Sequence, residues 1–205
     1  MTFGIVLLAP ALCCAALDVE TLLASLARPA PATTSFVEVR YSKLLDQPLI
    51  VKGELEYLED GVLARTVKEP FKERTEIHGE RVIVERAGKP RRQFSLKRAP
   101  ELRGLLGSFA AVLGGSRASL EQNFNLALQG EQGHWQLRLT PKSTRVGRYM
   151  QDIVINGQEN EPRCISVNQP DQDGSIMIVG AAADAALPTP LTRDELNRFC
   201  TSGGA

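Results

Sequence analysis

The sequence predicts an α+β fold, a strongly curved antiparallel half-barrel of about 11 strands with helices covering its concave face. An opening helical segment is followed by about six segments of alternating apolar and polar residues, then by helical spacing, then by about five more alternating segments. Alternation with a period of two is typical of strands that have one face in water, and short Gly-containing links favour antiparallel neighbours. A sheet of so many strands tends to curl, which makes a half-barrel.

The elements follow from local spacing. Apolar residues at helical intervals predict a first helix over 17–26, and Pro29 and Pro31 end it because proline cannot continue the backbone ladder. The predicted strands span 35–42, 49–57, 63–67, 71–77, 82–84, 93–96, 124–128, 135–139, 150–155, 164–167 and 176–179. Helical spacing also predicts a Gly-containing helix over 99–114. A capping box formed by Thr192 and Glu195 predicts a final helix over 192–199.

The apolar faces of these elements have two interpretations, an ordinary packed core or the lining of a cavity for an acyl chain. One sheet face is predicted to carry Val37, Val39, Tyr41, Val51, Leu55, Tyr57, Leu63 and Val67, with Glu38 and Arg40 on the opposite, solvated face. The helix over 99–114 would bring Leu105, Leu106 and Phe109 against that apolar face. Both interpretations remain open on the sequence.

The first 16 residues differ from the rest of the chain because they carry no charged side chain. Their apolar stretch at 5–12 is shorter than the roughly 20 residues that cross a bilayer, and small residues follow it. We predict a secretory signal peptide over 1–16 and one domain over 17–205, with a buried N-terminal helix as the alternative.

Cleavage near Ala16 leaves two cysteines, Cys164 and Cys200. An even number in an oxidising compartment predicts one disulfide, which would contribute about 3–4 kcal/mol by restricting the unfolded chain. Two unpaired buried thiols are the alternative. No metal site is predicted, because the only histidines are His78 and His134 and neither has the spacing of a ligand set.

Charge and motifs restrict the function classes. The 24 basic and 24 acidic residues give a net charge of zero, whereas nucleic-acid binders usually carry a basic excess. The strongest local cluster is the basic run over 89–98, which is either a soluble hairpin rim or a contact for anionic lipid or an acidic partner. No nucleotide-binding, metalloprotease or hydrolase motif occurs, so neither catalysis nor a cofactor is predicted. A hydrolase and a non-catalytic assembly scaffold of the cell envelope remain as alternatives.

Several short motifs occur in the order found in one known family. They are TSFVE at 34–38, VKGEL at 51–55, LAR at 63–65, EP at 69–70, HGERVIV at 78–84, LRLTPK at 137–142 and DQDG at 171–174. In these motifs the chain resembles the periplasmic LolA-like lipoprotein carriers and their LolB-like receptor relatives. Thr66 replaces the aromatic residue common after the family's Arg, and Glu59–Gly61 replaces a Pro. These departures indicate a divergent branch.

The resemblance implies a monomeric periplasmic carrier without catalytic activity or nucleic-acid binding. Its apolar cavity would hold acyl chains of a lipoprotein or lipid and take them from an inner-membrane transporter or exporter to an outer-membrane acceptor. The resemblance also implies that Arg65 is a latch, whose hydrogen bonds to the lid helices keep the empty cavity shut.

Overall fold

The computed structural model describes residues 17–96 and 115–202. The described helices are α1 (Val19–Leu26), α2 (Arg117–Glu121), α3 (Thr144–Gly147) and α4 (Arg193–Thr201). The strands are β1 (Ala32–Tyr41), β2 (Leu49–Tyr57), β3 (Leu63–Glu69), β4 (Glu73–His78), β5 (Arg81–Arg86), β6 (Arg92–Ser95), β7 (Phe124–Glu131), β8 (His134–Pro141), β9 (Asp152–Gln158), β10 (Glu161–Asn168) and β11 (Gly174–Val179).

All eleven strands belong to one unclosed sheet in the order β6-β5-β4-β3-β2-β1-β11-β10-β9-β8-β7, and neighbouring strands are antiparallel throughout. The predicted α+β half-barrel class is confirmed. The two predicted groups of strands are each a meander, and they join where β1 pairs with β11, with Phe36 opposite Val179. That pairing joins residues that are far apart in the chain, so neither local pattern predicts it.

Side-chain caps begin the helices as their sequences require. Asp18 caps α1 by accepting a hydrogen bond from the backbone N–H of Thr21 at 3.0 Å. Thr192 caps α4 in the same way, accepting from the N–H of Glu195 at 3.2 Å. Such caps satisfy N–H groups that have no partner within the helix.

The two faces of the sheet are covered by different parts of the chain. We call the face against which α1 and α2 pack the inner face and the opposite one the outer face. On the inner face, buried leucines of α1 and α2 contact the apolar side chains of β7, β8 and β9. On the outer face, α4 and the short turn at Gly180–Asp184 cover the sheet where β1, β11 and β10 lie side by side.

The packing of α4 and the Gly180–Asp184 turn on the outer face shows that part of the predicted cavity lining was wrong. Direct partners across strands share a face, and Glu38 pairs with Val51 while Val39 pairs with Ile50. Val37, Val39 and Tyr41 therefore lie on the outer face, opposite Val51, and Glu38 and Arg40 lie on the inner face. The prediction was wrong for these residues because it assumed one solvated face, whereas both faces of β1 are covered and 36–39 are all buried.

The outer cover is held by the Cys164–Cys200 disulfide, which links β10 to α4. The predicted pairing is confirmed. Both cysteines are buried together with Val39, Ile176 and Leu196. The cover is thus attached to the junction between the two meanders.

Candidate functional site

The inner face has two halves that differ in packing. The helix-packed half is the apolar cluster formed by α1, α2 and the strands β7–β9, and the arginine half is the inner surface of β1–β5 around Arg65. In the helix-packed half, Leu22, Leu120 and Leu137 have no exposed surface. Among the described residues, this half has the burial of an ordinary protein core.

Five of the predicted cavity residues share the inner face of the arginine half. Val51 and Val67 are buried, whereas Leu55, Tyr57 and Leu63 are only half-buried. Ile77, opposite Leu63, and Val84 are half-buried on the same face. Leu105, Leu106 and Phe109, which were predicted to complete the lining, lie outside the described residues. The arginine half therefore presents a row of apolar side chains that are incompletely buried.

Arg65 lies among these apolar residues, as its alternation with Leu63 and Val67 predicts. Its Nη2 donates to Glu38 Oε2 at 2.6 Å, and its guanidinium lies 4.7 Å from the centre of the Phe36 ring. Cation–π stacking and a charge-assisted hydrogen bond both stabilise a partly buried guanidinium. The side chain of Arg65 is therefore fixed to β1.

Gly53 permits this arrangement, because it lies on β2 directly opposite Phe36 on one side and Val67 on the other. A Cβ at this position would lie 1.9 Å from the carbonyl oxygen of Thr66 and 3.0 Å from the Phe36 ring. Any larger residue would move the aromatic ring on which the Arg65 guanidinium rests.

Glu38 is only 6% exposed, and its Oε2 also accepts from Arg40 Nη2 at 2.9 Å. Burial by itself raises the pKa of Glu38, but the hydrogen bond from Arg40 and the charges of Arg40 and Arg65 outweigh it, so the pKa is lowered. Burial lowers the pKa of Arg65, and Glu38 restores it only in part. The two arginines thus favour the charged form of the Glu38 carboxyl despite its burial.

Two guanidinium groups thus share one buried carboxylate at the edge of an apolar surface. Arg40 keeps 42% of its side chain exposed and Arg65 keeps 22%. Alternation placed Arg65 correctly but missed Glu38, because a charged residue between two valines resembles a solvent-facing position. Only the register of β1 against β2 and β3 shows that it faces Arg65. The lid that Arg65 was expected to latch is predicted over 99–114, outside the described residues, so the latch stays a prediction.

A cavity of about 570 Å³ lies near the ends of β3, β4 and β5. Its lining includes Lys68, Lys72, Arg74, Arg86 and Lys89 together with Glu73 and Glu85. This cavity is mainly charged, although Val67, one residue of the apolar lining that the sequence predicts, also contributes to it. Its chemistry suits an anionic or strongly hydrated contact rather than an acyl chain.

Both histidines, His78 and His134, are exposed at the surface. His78 Nε2 lies 3.0 Å from Glu76 Oε2, and Glu76 also accepts from Arg74. These three residues alternate along β4 on the outer face, away from Leu63 and Arg65. Within residues 17–96 and 115–202 no group of three His, Cys, Asp or Glu is placed to hold a metal ion. None of the helices in those ranges is long and apolar enough to cross a membrane.

The fold and its inner face define a class of protein, an incomplete β-barrel whose inner face carries both packed helices and half-buried apolar strands. Residues 11–203 match the family described as outer membrane lipoprotein carrier protein LolA-like. The chain belongs to this family, as the motifs had indicated. No curated protein matches the chain.

Similar solved structures include the LolA superfamily protein NE2245 from Nitrosomonas europaea, with 13% identity over 87% of this chain and 99% of that one and a TM-score of 0.43. A putative outer membrane lipoprotein-sorting protein domain from Vibrio parahaemolyticus has 10% identity over 90% of this chain and 95% of that one, with a TM-score of 0.44. The Pseudomonas aeruginosa MucA/MucB complex has 13% identity over 88% of this chain and 60% of that one, with a TM-score of 0.39.

Proposed function

We propose that this protein is a periplasmic carrier that binds acyl chains of a lipid or lipoprotein on the arginine half of its inner face. The observation that carries the proposal is the row of half-buried apolar side chains formed by Leu55, Tyr57 and Leu63 with Ile77 and Val84. Apolar surface that the chain does not fully bury favours an apolar ligand, at about 0.8 kcal/mol for each CH₂ removed from water. Membership of a lipoprotein-carrier family supports the same function.

The proposed cycle moves cargo between membranes. An inner-membrane transporter or exporter would load the acyl chains, and an outer-membrane acceptor would receive them. The protein would act as a monomer after removal of residues 1–16. Its own chemistry is binding and release, for which no cofactor is required.

Arg65 is proposed as the residue that couples binding to release. In the described structure its guanidinium is held by Glu38 and Phe36, at the side of the half-buried apolar row. A rotation of this side chain away from β1 would let it donate to the lid helices expected over 99–114. The proposed latch thus requires Glu38 and the lid to compete for one guanidinium.

Saturable binding of a fluorescent fatty-acid probe tests the carrier function. We expect Leu63→Arg to weaken probe binding at least about 10-fold, because it places a charge among apolar contacts. The matched control is Ile83→Arg, since Ile83 is equally half-buried nearby but lies on the outer face, opposite Glu76. Absence of probe binding at tens of micromolar, or equal losses in both variants, would contradict the proposal.

Release kinetics test the latch separately. Arg65→Leu is expected to keep the fold and to change the rate at which loaded protein releases the probe to acceptor vesicles. Arg74→Leu is the matched control, because Arg74 is also ion-paired within the sheet but belongs to the outer face. Equal release rates in wild type and Arg65→Leu would leave the carrier function standing and remove the latch.

A further inference from the structure

The loops at the two rims of the sheet form two distinct sets. Because neighbouring strands are antiparallel throughout, successive connections alternate between the rims. One rim carries the loops 42–48, 70–72, 87–91, 142–151 and 169–173, and we call it the basic rim. The opposite rim carries the loops 58–62, 79–80, 132–133 and 159–160, and we call it the acidic rim.

The charges of these loops are sorted by rim. The basic rim has seven basic residues, Lys43, Lys72, Lys89, Arg91, Lys142, Arg145 and Arg148, against three acidic ones, Asp46, Asp171 and Asp173. The acidic rim has Glu59, Asp60, Glu80 and Glu159 in its four loops, and one base, Arg28, reaches it from the segment before β1 and donates to the carbonyl of Asn160. All seven basic residues are exposed. A chain with zero net charge therefore folds with a strongly positive end.

Acidic residues in these loops and on β5 offset part of this charge. Lys43 Nζ lies 3.5 Å from Asp171, and Arg91 Nε lies 2.9 Å from Glu85 on β5. Within the described parts of the chain, Lys72, Lys89 and Arg148 form no ion pair. Exposed charges of one sign at this density produce a field that extends about 8 Å, one Debye length, at physiological ionic strength.

The same rim exposes apolar side chains. Leu44 is 93% exposed and Leu45 is 45% exposed in the loop between β1 and β2, and Tyr149 is 64% exposed in the loop between β8 and β9. Large apolar residues with this exposure are absent from the described acidic-rim loops. Two adjacent exposed leucines at a loop tip form an apolar patch that is available for contact with something outside the chain.

We propose that the basic rim docks on the surface of a bilayer that contains anionic phospholipids. Leu44 and Leu45 would enter the boundary between headgroups and acyl chains, and Tyr149 would lie at headgroup level, where its apolar ring and polar hydroxyl are both satisfied. The surrounding Lys and Arg side chains would lie among the phosphates. Exposed leucines within a basic field favour an anionic bilayer, because its surface offers phosphates beside an apolar interior.

This docking is independent of the proposed acyl site, since it concerns loops rather than the inner face. It orients the protein, with the basic rim towards the membrane and the acidic rim away from it. Glu38 lies in the part of β1 nearer the basic rim, whereas the backbone of Arg65 lies near the end of β3 that follows the acidic-rim loop 58–62.

Vesicle flotation with the purified protein tests the proposal. We expect the protein to float with vesicles of phosphatidylcholine and phosphatidylglycerol at about 3:1, and to bind phosphatidylcholine alone at least about 10-fold more weakly. Raising NaCl is expected to weaken binding to the anionic vesicles, because salt screens the rim. Equal binding to both vesicle types, or none to either, would overturn the proposal.

Two variants separate the contribution of the basic charges of this rim from that of its exposed leucines. Lys72→Gln/Lys89→Gln is expected to weaken binding to anionic vesicles about 10- to 30-fold, since each base near the surface contributes about one factor of five. Leu44→Ser/Leu45→Ser is expected to weaken it about 10-fold while leaving its salt dependence unchanged. Both changes are at exposed sites, so the thermal midpoint of unfolding should not move.

The matched control is Glu59→Gln/Asp60→Asn on the acidic rim, which changes the net charge by the same amount with opposite sign. Vesicle binding of this variant should equal that of wild type. If vesicle binding of this variant rises as much as that of the lysine variant falls, the affinity depends on the net charge of the protein and not on the basic rim. Fatty-acid probe binding without vesicles should be unchanged in every rim variant, so failure of docking is distinguishable from failure of the carrier function.

Discussion

The helix-packed half and the arginine half of the inner face are made from the same material, alternating strands with one apolar side, yet they end in different states. In the helix-packed half, Leu137 and Leu139 meet leucines from α1 and α2 and have almost no exposed surface. In the arginine half, Leu55 and Leu63 remain half-buried beside the buried Glu38–Arg65 ion pair. Alternation therefore defines an apolar face, and the element that packs on this face determines whether it becomes a core or a binding surface.

The Glu38–Arg65 ion pair is a second difference between the two halves of the inner face. A buried ion pair contributes little to stability compared with apolar residues of the same volume, because desolvation offsets the attraction. Its location among half-buried apolar residues is therefore unexplained by stability alone, and it agrees with a switching role for Arg65. The helix-packed half has no such group within its described cluster.

The largest expected effect lies at the junction that both halves share. Cys164→Ala/Cys200→Ala removes a link whose loop contains the second half of β10, all of β11 and most of α4, and should lower the free energy of unfolding by about 4 kcal/mol. Urea denaturation measures this loss. Because the disulfide lies on the outer face, probe binding by the folded variant should be unchanged. A parallel loss of probe affinity would show that the outer cover shapes the inner face.

A leucine truncation in each half tests the comparison most directly. Leu137→Ala should lower the free energy of unfolding by about 3 kcal/mol, because it leaves a cavity in a fully buried cluster. Leu63→Ala should cost about 1 kcal/mol, since the side chain is only half-buried. Equal costs in urea denaturation would mean that the arginine half is also an ordinary core.

Removing the carboxylate tests the ion pair. Glu38→Gln leaves the partly buried Arg65 without a counter-charge and should lower the free energy of unfolding by about 2 kcal/mol. Adding Arg65→Met to this variant should recover more than half of the loss, because the uncompensated charge is then gone. Additive losses in the double variant would indicate that the two side chains are not coupled.

The smallest effect is a dependence on pH. The folded state lowers the pKa of Glu38 below its ordinary value of 4.5, so the carboxylate's contribution to stability is fully present above that value and is lost as pH falls through the folded-state pKa. The difference in free energy of unfolding between wild type and Glu38→Gln should therefore shrink from about pH 6 to about pH 3. A constant difference over that range would assign the effect of Glu38→Gln to packing.

Sequence patterns predicted those features whose causes are local. Alternation located all eleven strands, the helical spacing of apolar residues located α1, and a capping box located α4. The compartment implied by residues 1–16 led to the Cys164–Cys200 pairing. Arg65 was placed on the correct face because Leu63 and Val67 share its side of β3. Each of these inferences needs only the pattern of neighbouring residues or the number of cysteines after residue 16.

The sequence by itself thus determined the α+β class, the number of strands and the position of Arg65 within its strand. The tertiary structure alone decided which face of β1 is inner, and it replaced Val37, Val39 and Tyr41 by Phe36 and Glu38 on the candidate site. It also showed that the charges of the loops are sorted between the two rims, although the whole chain has no net charge. The physical reason is that alternation repeats within one strand, whereas sidedness and register arise from hydrogen bonds and packing between segments far apart in the chain.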